Sequence, residues 1–307
     1  MSTLGKEPEI TGERRKKFSS PDTPSIQECF ATVEGARMRY LRAGSGPPLV
    51  LLHGLLGYSF SWRFTMPALA RYATIYAVDM VGSGFSERPR DIDASMRGEA
   101  RRLLAFVDAV GISTFDLLGT SHGGAVAMFA AAMCADQPGQ RLQRLILVAP
   151  VNPWSSHGQS LAPFFGSALG GAVFDATFAR LPILHGYILG RLYADASNIP
   201  PGTLEGYSLP YKGPHAFDHA LAICRHWTDD LKDLESIMQK IADYPALLVW
   251  GRRDRAVYVS SAEQLQRVFK QCELVVIEKA GHLPYEETPE EFNRVLVDFL
   301  RPAARGR

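Results

Sequence analysis

Short runs of almost wholly apolar residues recur along the chain, at Leu49–Leu52, Ala73–Val78, Phe115–Leu118, Leu145–Val148, Ala246–Trp250 and Leu274–Ile277. A strand that meets water on one face alternates apolar with polar residues, whereas a short unbroken apolar run suits a strand covered on both faces. Longer stretches with helical spacing separate these runs. Leu103, Leu104, Val107 and Val110 form one apolar stripe, closed by Gly111 as a C-terminal cap. Thr288-Pro289-Glu290-Glu291 predicts an N-cap threonine, a proline at the first helical position and a capping-box glutamate, with Phe292, Val295, Leu296 and Phe299 as the buried face. Strands alternating with helices imply an α/β class: a mainly parallel sheet flanked by helices. Cys29–Val33 and Met38–Arg42, on either side of Glu34-Gly35, predict an antiparallel pair in front of it.

One segment breaks the alternation. From Asn152 to Asp233 no strand pattern appears, but apolar helical stretches do, punctuated by Gly and Pro and containing Phe164, Phe165, Phe174, Phe178, Leu181, Ile183, Leu184, Tyr187 and Ile188. Such an insertion would cover the C-terminal ends of the strands, where open α/β sheets bind ligands. The expected organisation is a polar N-terminal tail at 1–27, a core at 28–151 and 234–301, a helical cap at 152–233 and a C-terminal tail at 302–307. The length of 307 residues accommodates one large α/β domain with an insertion.

Charge and cysteine usage bear on partners and compartment. Thirty-three basic residues stand against 32 acidic ones, a net charge of +1, so no nucleic-acid partner is implied. The basic run Arg14-Arg15-Lys16-Lys17 reads as part of a solvated tail. Leu161–Phe174, the longest apolar candidate, is too short to span a bilayer and is interrupted by Gly and Ser, and the polar stretch from Met1 to Ile26 lacks the apolar run that a secretory signal needs. Cys29, Cys134, Cys224 and Cys272 are scattered, without a C-x-x-C pair, as expected of buried thiols in a reducing, cytoplasmic protein. Cys224 and His226 alone do not make a metal site, and no metal or organic cofactor is expected.

The chemistry concentrates at the ends of the apolar runs. Gly119-Thr120-Ser121-His122-Gly123 follows Phe115–Leu118 and leads into the alanine-rich stretch Ala125–Ala132. A tight strand-to-helix turn of this kind lifts the serine hydroxyl above the sheet, and the flanking glycines permit the close backbone approach it needs. The new helix directs N–H groups and positive dipole at an oxyanion, making the His122 N–H one donor. His53-Gly54-Leu55-Leu56-Gly57 ends an earlier strand and can supply the Leu55 N–H as the second, with the His53 ring orienting the loop. Serine needs a general base. His282 lies in the loop after Leu274–Ile277, whereas His157, His185, His215, His219 and His226 fall in the insertion, where surface or satisfied core roles suit them better. Asp254, in Gly251-Arg252-Arg253-Asp254 after Ala246–Trp250, is the carboxylate that can orient the imidazole. Its competing role is a surface ion pair with the arginines around it.

These stretches, together with Asp79-Met-Val-Gly-Ser-Gly-Phe-Ser, Trp250-Gly-Arg-Arg-Asp and Gly281-His-Leu-Pro, resemble the α/β-hydrolase superfamily over Cys29 to Leu300. The order Ser121, Asp254, His282 is that of its triad. The resemblance implies a capped serine hydrolase without a cofactor, and a purely structural turn at Asp79–Ser86. Epoxide hydrolases and haloalkane dehalogenases of this fold carry an aspartate nucleophile, where this chain has Ser121. Carbon–carbon bond hydrolases usually carry asparagine before the nucleophile, where this chain has Thr120. His122 is similar to the residue found there in cofactor-free dioxygenases, whose acid follows an earlier strand than Asp254 does.

The expected activity is cleavage of a small to medium hydrophobic ester through an acyl-enzyme. Phe164, Phe165 and Tyr187 are candidate substrate contacts, though aromatic residues in the insertion serve equally as the cap's own core. A carbon–carbon bond hydrolase, an acyltransferase and a slow-turnover ligand receptor are alternatives on the same scaffold.

Overall fold

The structure is a computed structural model and describes residues 24–155, 161–177, 182–212 and 215–301. The basic run Arg14–Lys17, His157, Phe178, Leu181, the side chain of Ile183 and the C-terminal tail lie outside the described residues.

Eight strands form one sheet: β1 (Gln27–Val33), β2 (Ala36–Ala43), β3 (Pro48–Leu52), β4 (Thr74–Val78), β5 (Phe115–Thr120), β6 (Leu142–Val148), β7 (Ala246–Gly251) and β8 (Cys272–Ile277). Their spatial order is β1-β2-β4-β3-β5-β6-β7-β8. β1 pairs with β2, and β2 with β4, antiparallel; every other pairing is parallel. Helices α1 (Met66–Leu69), α2 (Met96–Ala109) and α3 (His122–Ala135) connect the first strands. Helices α4 (Leu161–Gly166), α5 (Ala168–Thr177), α6 (Pro182–Leu192), α7 (Thr203–Ser208) and α8 (Asp218–Ser236) lie between β6 and β7. After them come α9 (Ala262–Gln266), α10 (Pro284–Glu287) and α11 (Pro289–Leu300).

The unbroken apolar runs of the inner strands have the cause expected of them, whereas β8, at the sheet edge, is only half-buried over Leu274–Val276. In β3, Val50 and Leu52 pack into a core under α2, α3, α8 and α9, while Leu49 and Leu51 pack into a second core with Trp62, Met66, Leu69, Phe292 and Leu296. β7 divides in the same way, Leu248 and Trp250 to one face and Leu247 and Val249 to the other. Because both faces are dry, neither parity of the strand can be polar. Helix α3 runs close beneath the sheet and is buried nearly all round, which explains why Gly, Ala and other apolar residues occupy every turn without an amphipathic stripe.

Helix ends follow the sequence in part. Ser95 accepts the Gly98 N–H at 3.0 Å to cap α2, and Gly111 beyond its end has φ +72°. Pro289 does open α11, but the capping box expected at Thr288 is not made. The preceding turn α10 has claimed that residue: both its N–H, at 3.0 Å, and its hydroxyl, at 3.2 Å, donate to the Pro284 carbonyl. The boundary expected at residue 233 falls within α8, which runs unbroken from packing on α4 to bury Leu234 in the core beside α3.

Candidate active site

The chain reverses direction across the sheet at β3, whose neighbours are β4 on one side and β5 on the other. This is the switch point where an open α/β sheet leaves a crevice at its strand ends. The loop after β3 and the turn after β5 both open into it.

Ser121 occupies that turn with φ 54° and ψ −122°, backbone geometry that is costly for a side-chain-bearing residue. Its surroundings hold it there: its N–H donates to the Val148 carbonyl at 3.0 Å, and its carbonyl accepts from Gly124 at 3.0 Å and Val151 at 2.9 Å. The flanking glycines are required by contact. A Cβ on Gly119 would lie 2.3 Å from the Gly123 carbonyl oxygen, and one on Gly123 would lie 2.2 Å from that of His53. His122 is the first residue of α3, so its N–H has no acceptor within the helix. The Leu55 N–H belongs to the loop opposite, where Leu56 takes φ +60° and Gly57 closes a turn onto the Gly54 carbonyl at 2.9 Å. A Cβ on Gly54 would come 3.1 Å from Ser121 Cβ, so this loop abuts the serine.

His53 sits beneath the loop as an orienting group. Its Nε2 accepts the Met80 N–H at 3.1 Å, so Nδ1 carries the proton and donates to the Gly54 carbonyl at 2.8 Å. Burial lowers its pKa, keeping the ring neutral. The Asp79 carboxylate ties down its turn: it accepts from Ser59 N at 2.8 Å, Phe85 N at 3.0 Å and the Arg39 guanidinium at 2.9 Å.

Two neighbouring strands deliver the other polar groups. His282 Nδ1 lies 2.8 Å from Asp254 Oδ2, and both side chains are buried. The second oxygen of Asp254 accepts from the N–H groups of Ala256 at 2.7 Å and Val257 at 2.9 Å. The Asp254 carboxylate is therefore held by its own loop as well as by the imidazole. The surface ion pair that competed for Asp254 is instead made by Arg252 with Glu278, at 2.9 Å. The two loops can meet because Gly251 presses on the next strand's loop; a Cβ there would be 1.9 Å from the Gly281 carbonyl oxygen. Glu287 then clamps the histidine loop, accepting from Gly281 N at 2.8 Å and from Ala194 N at 2.7 Å, and the His282 N–H donates to the Leu192 carbonyl at 2.7 Å.

Ser121, His282 and Leu55 line a single cavity of about 290 Å³. Its remaining walls are mostly apolar and come largely from the insertion: Ile188, Leu189, Leu192, Leu204, Tyr207 and Phe217, with His185. The predicted contacts Phe164, Phe165 and Tyr187 are not among these walls. Phe164 and Phe165 lie on α4 in edge contact with each other, and Phe165 also meets Phe174. Tyr187 is 65% exposed. It stands beside Ile188 on α6, but one helical step turns it outwards. Sequence offered no way to choose between these neighbours, since α6 is apolar on several faces.

Behind the serine lies a buried cluster that the sequence did not announce. The His122 ring points away from the cavity, its Nδ1 3.6 Å from Glu99 Oε2, and His219 Nε2 approaches Glu99 Oε1 at 2.9 Å. Burial works against the Glu99 charge, but the two imidazoles prevail and hold its pKa below the usual carboxylate range. His219 is thus a core residue, as expected, but only half satisfied: Nε2 meets Glu99, while Nδ1 is buried without a hydrogen-bond partner among the described residues.

A family description for the alpha/beta hydrolase fold matches residues 47–289. The chain belongs to this family. Among individual relatives, this alpha/beta hydrolase is similar to the dihydrolipoyllysine-residue acetyltransferase component of the acetoin cleaving system of Pseudomonas putida, with 30% identity over 88% of the chain and 68% of the relative. It is also similar to the 2-hydroxy-6-oxo-2,4-heptadienoate hydrolase of Pseudomonas putida, with 28% identity over 84% of the chain and 90% of the relative. Among solved structures, the 2-hydroxy-6-oxo-6-phenylhexa-2,4-dienoate hydrolase of Rhodococcus sp. strain RHA1 shares the fold, with TM-score 0.77 and 22% identity over 91% of this chain and 100% of that one. No helix among the described residues of this hydrolase is long and apolar enough to cross a membrane.

Proposed function

We propose that the chain is a serine hydrolase that cleaves neutral, hydrophobic carboxylic esters through an acyl-enzyme. The observation that carries this reading is the buried Asp254–His282 hydrogen bond at the wall of the same cavity that Ser121 lines. With Asp254 holding the Nδ1 proton, His282 Nε2 is left with the lone pair of a general base. It takes the Ser121 proton as Oγ attacks the ester carbonyl, and the N–H groups of Leu55 and His122 receive the developing oxyanion. Protonated His282 then gives its proton to the departing alcohol. Water, activated by the same imidazole, attacks the acyl-enzyme and releases the acid. No step calls for a cofactor.

A carbon–carbon bond hydrolase is the competing activity, and the relative that acts on a heptadienoate gives it weight. Substrates of that kind carry a carboxylate, and a buried carboxylate needs a cationic or multiply hydrogen-bonding partner. The described residues lining the cavity include no Lys or Arg. That favours a neutral ester. The four cysteines are unpaired, which supports a cytoplasmic setting.

The test is direct. The intact protein should hydrolyse p-nitrophenyl esters with steady multiple turnover and take up an organophosphonate label, and Ser121→Ala should lose both. Retained hydrolysis in Ser121→Ala ends the serine assignment. Faster cleavage of a vinylogous 1,5-diketone carboxylate than of any neutral ester replaces the ester reading with the carbon–carbon one. Transfer product exceeding free acid when alcohols are added points to an acyltransferase. A single slow turnover with retained ligand points to a receptor.

A further inference from the structure

The groups above account for one wall of the cavity. Another wall carries Ser61 and Tyr207, and Tyr207 connects it to a buried ion pair that the proposed chemistry does not use. Glu286, 3% exposed, receives both terminal nitrogens of Arg63, at 2.9 and 2.8 Å. It also receives the Tyr193 hydroxyl at 2.5 Å and the Tyr207 hydroxyl. An ionised carboxylate offers about four lone-pair sites. These donors fill them.

The direction of each proton follows. Tyr207 Oη also lies 3.0 Å from Ser61 Oγ, but a phenol has a single proton. The carboxylate paired with Arg63 has none to give, so the Tyr207 proton is committed to Glu286. The contact between Tyr207 and Ser61 must then be made with the serine's proton, donated to the phenol oxygen. Ser61 is left with lone pairs only. The charge on Glu286 thus decides, through Tyr207, that this corner of the cavity is a hydrogen-bond acceptor.

The corner is close to the reacting centre. Gly54 and Gly57 bound one tight turn; Gly54 abuts Ser121, and a Cβ on Gly57 would lie 3.3 Å from Ser61 Oγ. Most of the cavity's remaining lining is apolar, so a substrate that left these lone pairs dry would forfeit water's hydrogen bond without replacement. We propose that Ser61 and Tyr207 form a specificity corner that accepts a hydrogen bond, so that the preferred substrate is a neutral ester carrying a hydroxyl or amide N–H a few bonds from the scissile carbonyl. This deepens, and rests on, the ester-hydrolase reading.

The experiment uses two matched series: methyl butyrate with its 3-hydroxy and 3-methoxy derivatives, and ethyl butyrate with its 2-hydroxyethyl and 2-methoxyethyl counterparts. Turnover is measured with the intact protein and binding by calorimetry with Ser121→Ala, so that recognition is read even without chemistry. In one series the hydroxyl member should exceed both the plain and the methoxy member by about tenfold in kcat/KM and in affinity. Ser61→Ala should bring the three within about twofold of one another. Tyr207→Phe is the sharper variant: it frees the Ser61 proton to point into the cavity, so the methoxy member should rise to match the hydroxyl one. A role for Tyr207 in cap stability alone would not move that ratio. Equal binding of hydroxyl and methoxy esters to Ser121→Ala, or a preference that survives Ser61→Ala, overturns the specificity corner. Absence of turnover of every ester by the intact protein, with the binding preference intact, overturns the ester reading and leaves the corner standing.

Discussion

The strand-end loops and the inserted helices both face the cavity, yet they are built by different means. Asp254 and His282 come from loops after adjacent strands, and backbone N–H groups and the Gly251–Gly281 contact hold those loops in place. The wall opposite is assembled from the side chains of Tyr193, just beyond α6, and Tyr207 on α7, which meet Ser61 and the Arg63–Glu286 pair across the molecule. A site on rigid strand ends tolerates little change in backbone and almost none in its polar atoms. A wall of packed helices tolerates more, and its losses are felt as affinity.

The largest effect should come from the rim. Asp254→Asn presents an amide N–H where His282 Nδ1 needs an acceptor, favouring the wrong tautomer; kcat should drop roughly 10⁴-fold with KM changed little. Steady-state kinetics on a p-nitrophenyl ester would check this, and a loss under tenfold would remove Asp254 from the machinery. Next comes backbone tolerance. Gly123→Ala forces a Cβ to 2.2 Å from the His53 carbonyl oxygen and should destabilise the fold by about 3 kcal/mol. Gly186→Ala in α6 has its nearest neighbour at 3.6 Å and should be neutral or stabilising by roughly 0.5 kcal/mol. Denaturant unfolding of the pair tests the contrast, which fails if the two variants lose equal stability.

A third effect lies where the inserted helices meet the core. Asp230 of α8 accepts the Met96 N–H at the start of α2 at 3.1 Å, and burial raises its pKa to about 7. The folded state therefore holds a proton that the unfolded chain releases near pH 4. Its contribution is full below that pH, falls as pH rises towards 7 and is lost above it. Asp230→Asn keeps the acceptor without the charge. It should flatten this decline and gain on the order of 2 kcal/mol at pH 8, whereas parallel pH profiles for the two proteins would refute the assignment. The smallest effects separate cavity wall from cap surface: Leu204→Ala should raise KM about tenfold, and Tyr187→Ala less than twofold. Comparable changes from both would mean that the wall extends to Tyr187.

The legibility of the chain divides along the same line. Each apolar run marks a strand, and the strained turn at Ser121, the loop at Leu55 and the histidine loop are all local segments whose place at a strand end shows in their own residues. At the ends, competing partners decide. Thr288 gives its hydroxyl to the Pro284 carbonyl of α10 rather than to α11, because the two turns abut and share that residue. The aromatic residues of the insertion are the plainest case. Phe164, Phe165 and Tyr187 look like a lining, but composition cannot say which face of an evenly apolar helix meets the cavity.

By itself, the sequence determined the layered α/β scaffold and the three strand-end residues, since unbroken apolar strands, obligatory glycines and loop order are properties of short segments. Only the tertiary structure decided what the cavity presents to a substrate. Arg63, Tyr193, Tyr207 and Glu286 are far apart in the chain, and the direction of their protons exists only once packing brings four donors to one buried carboxylate.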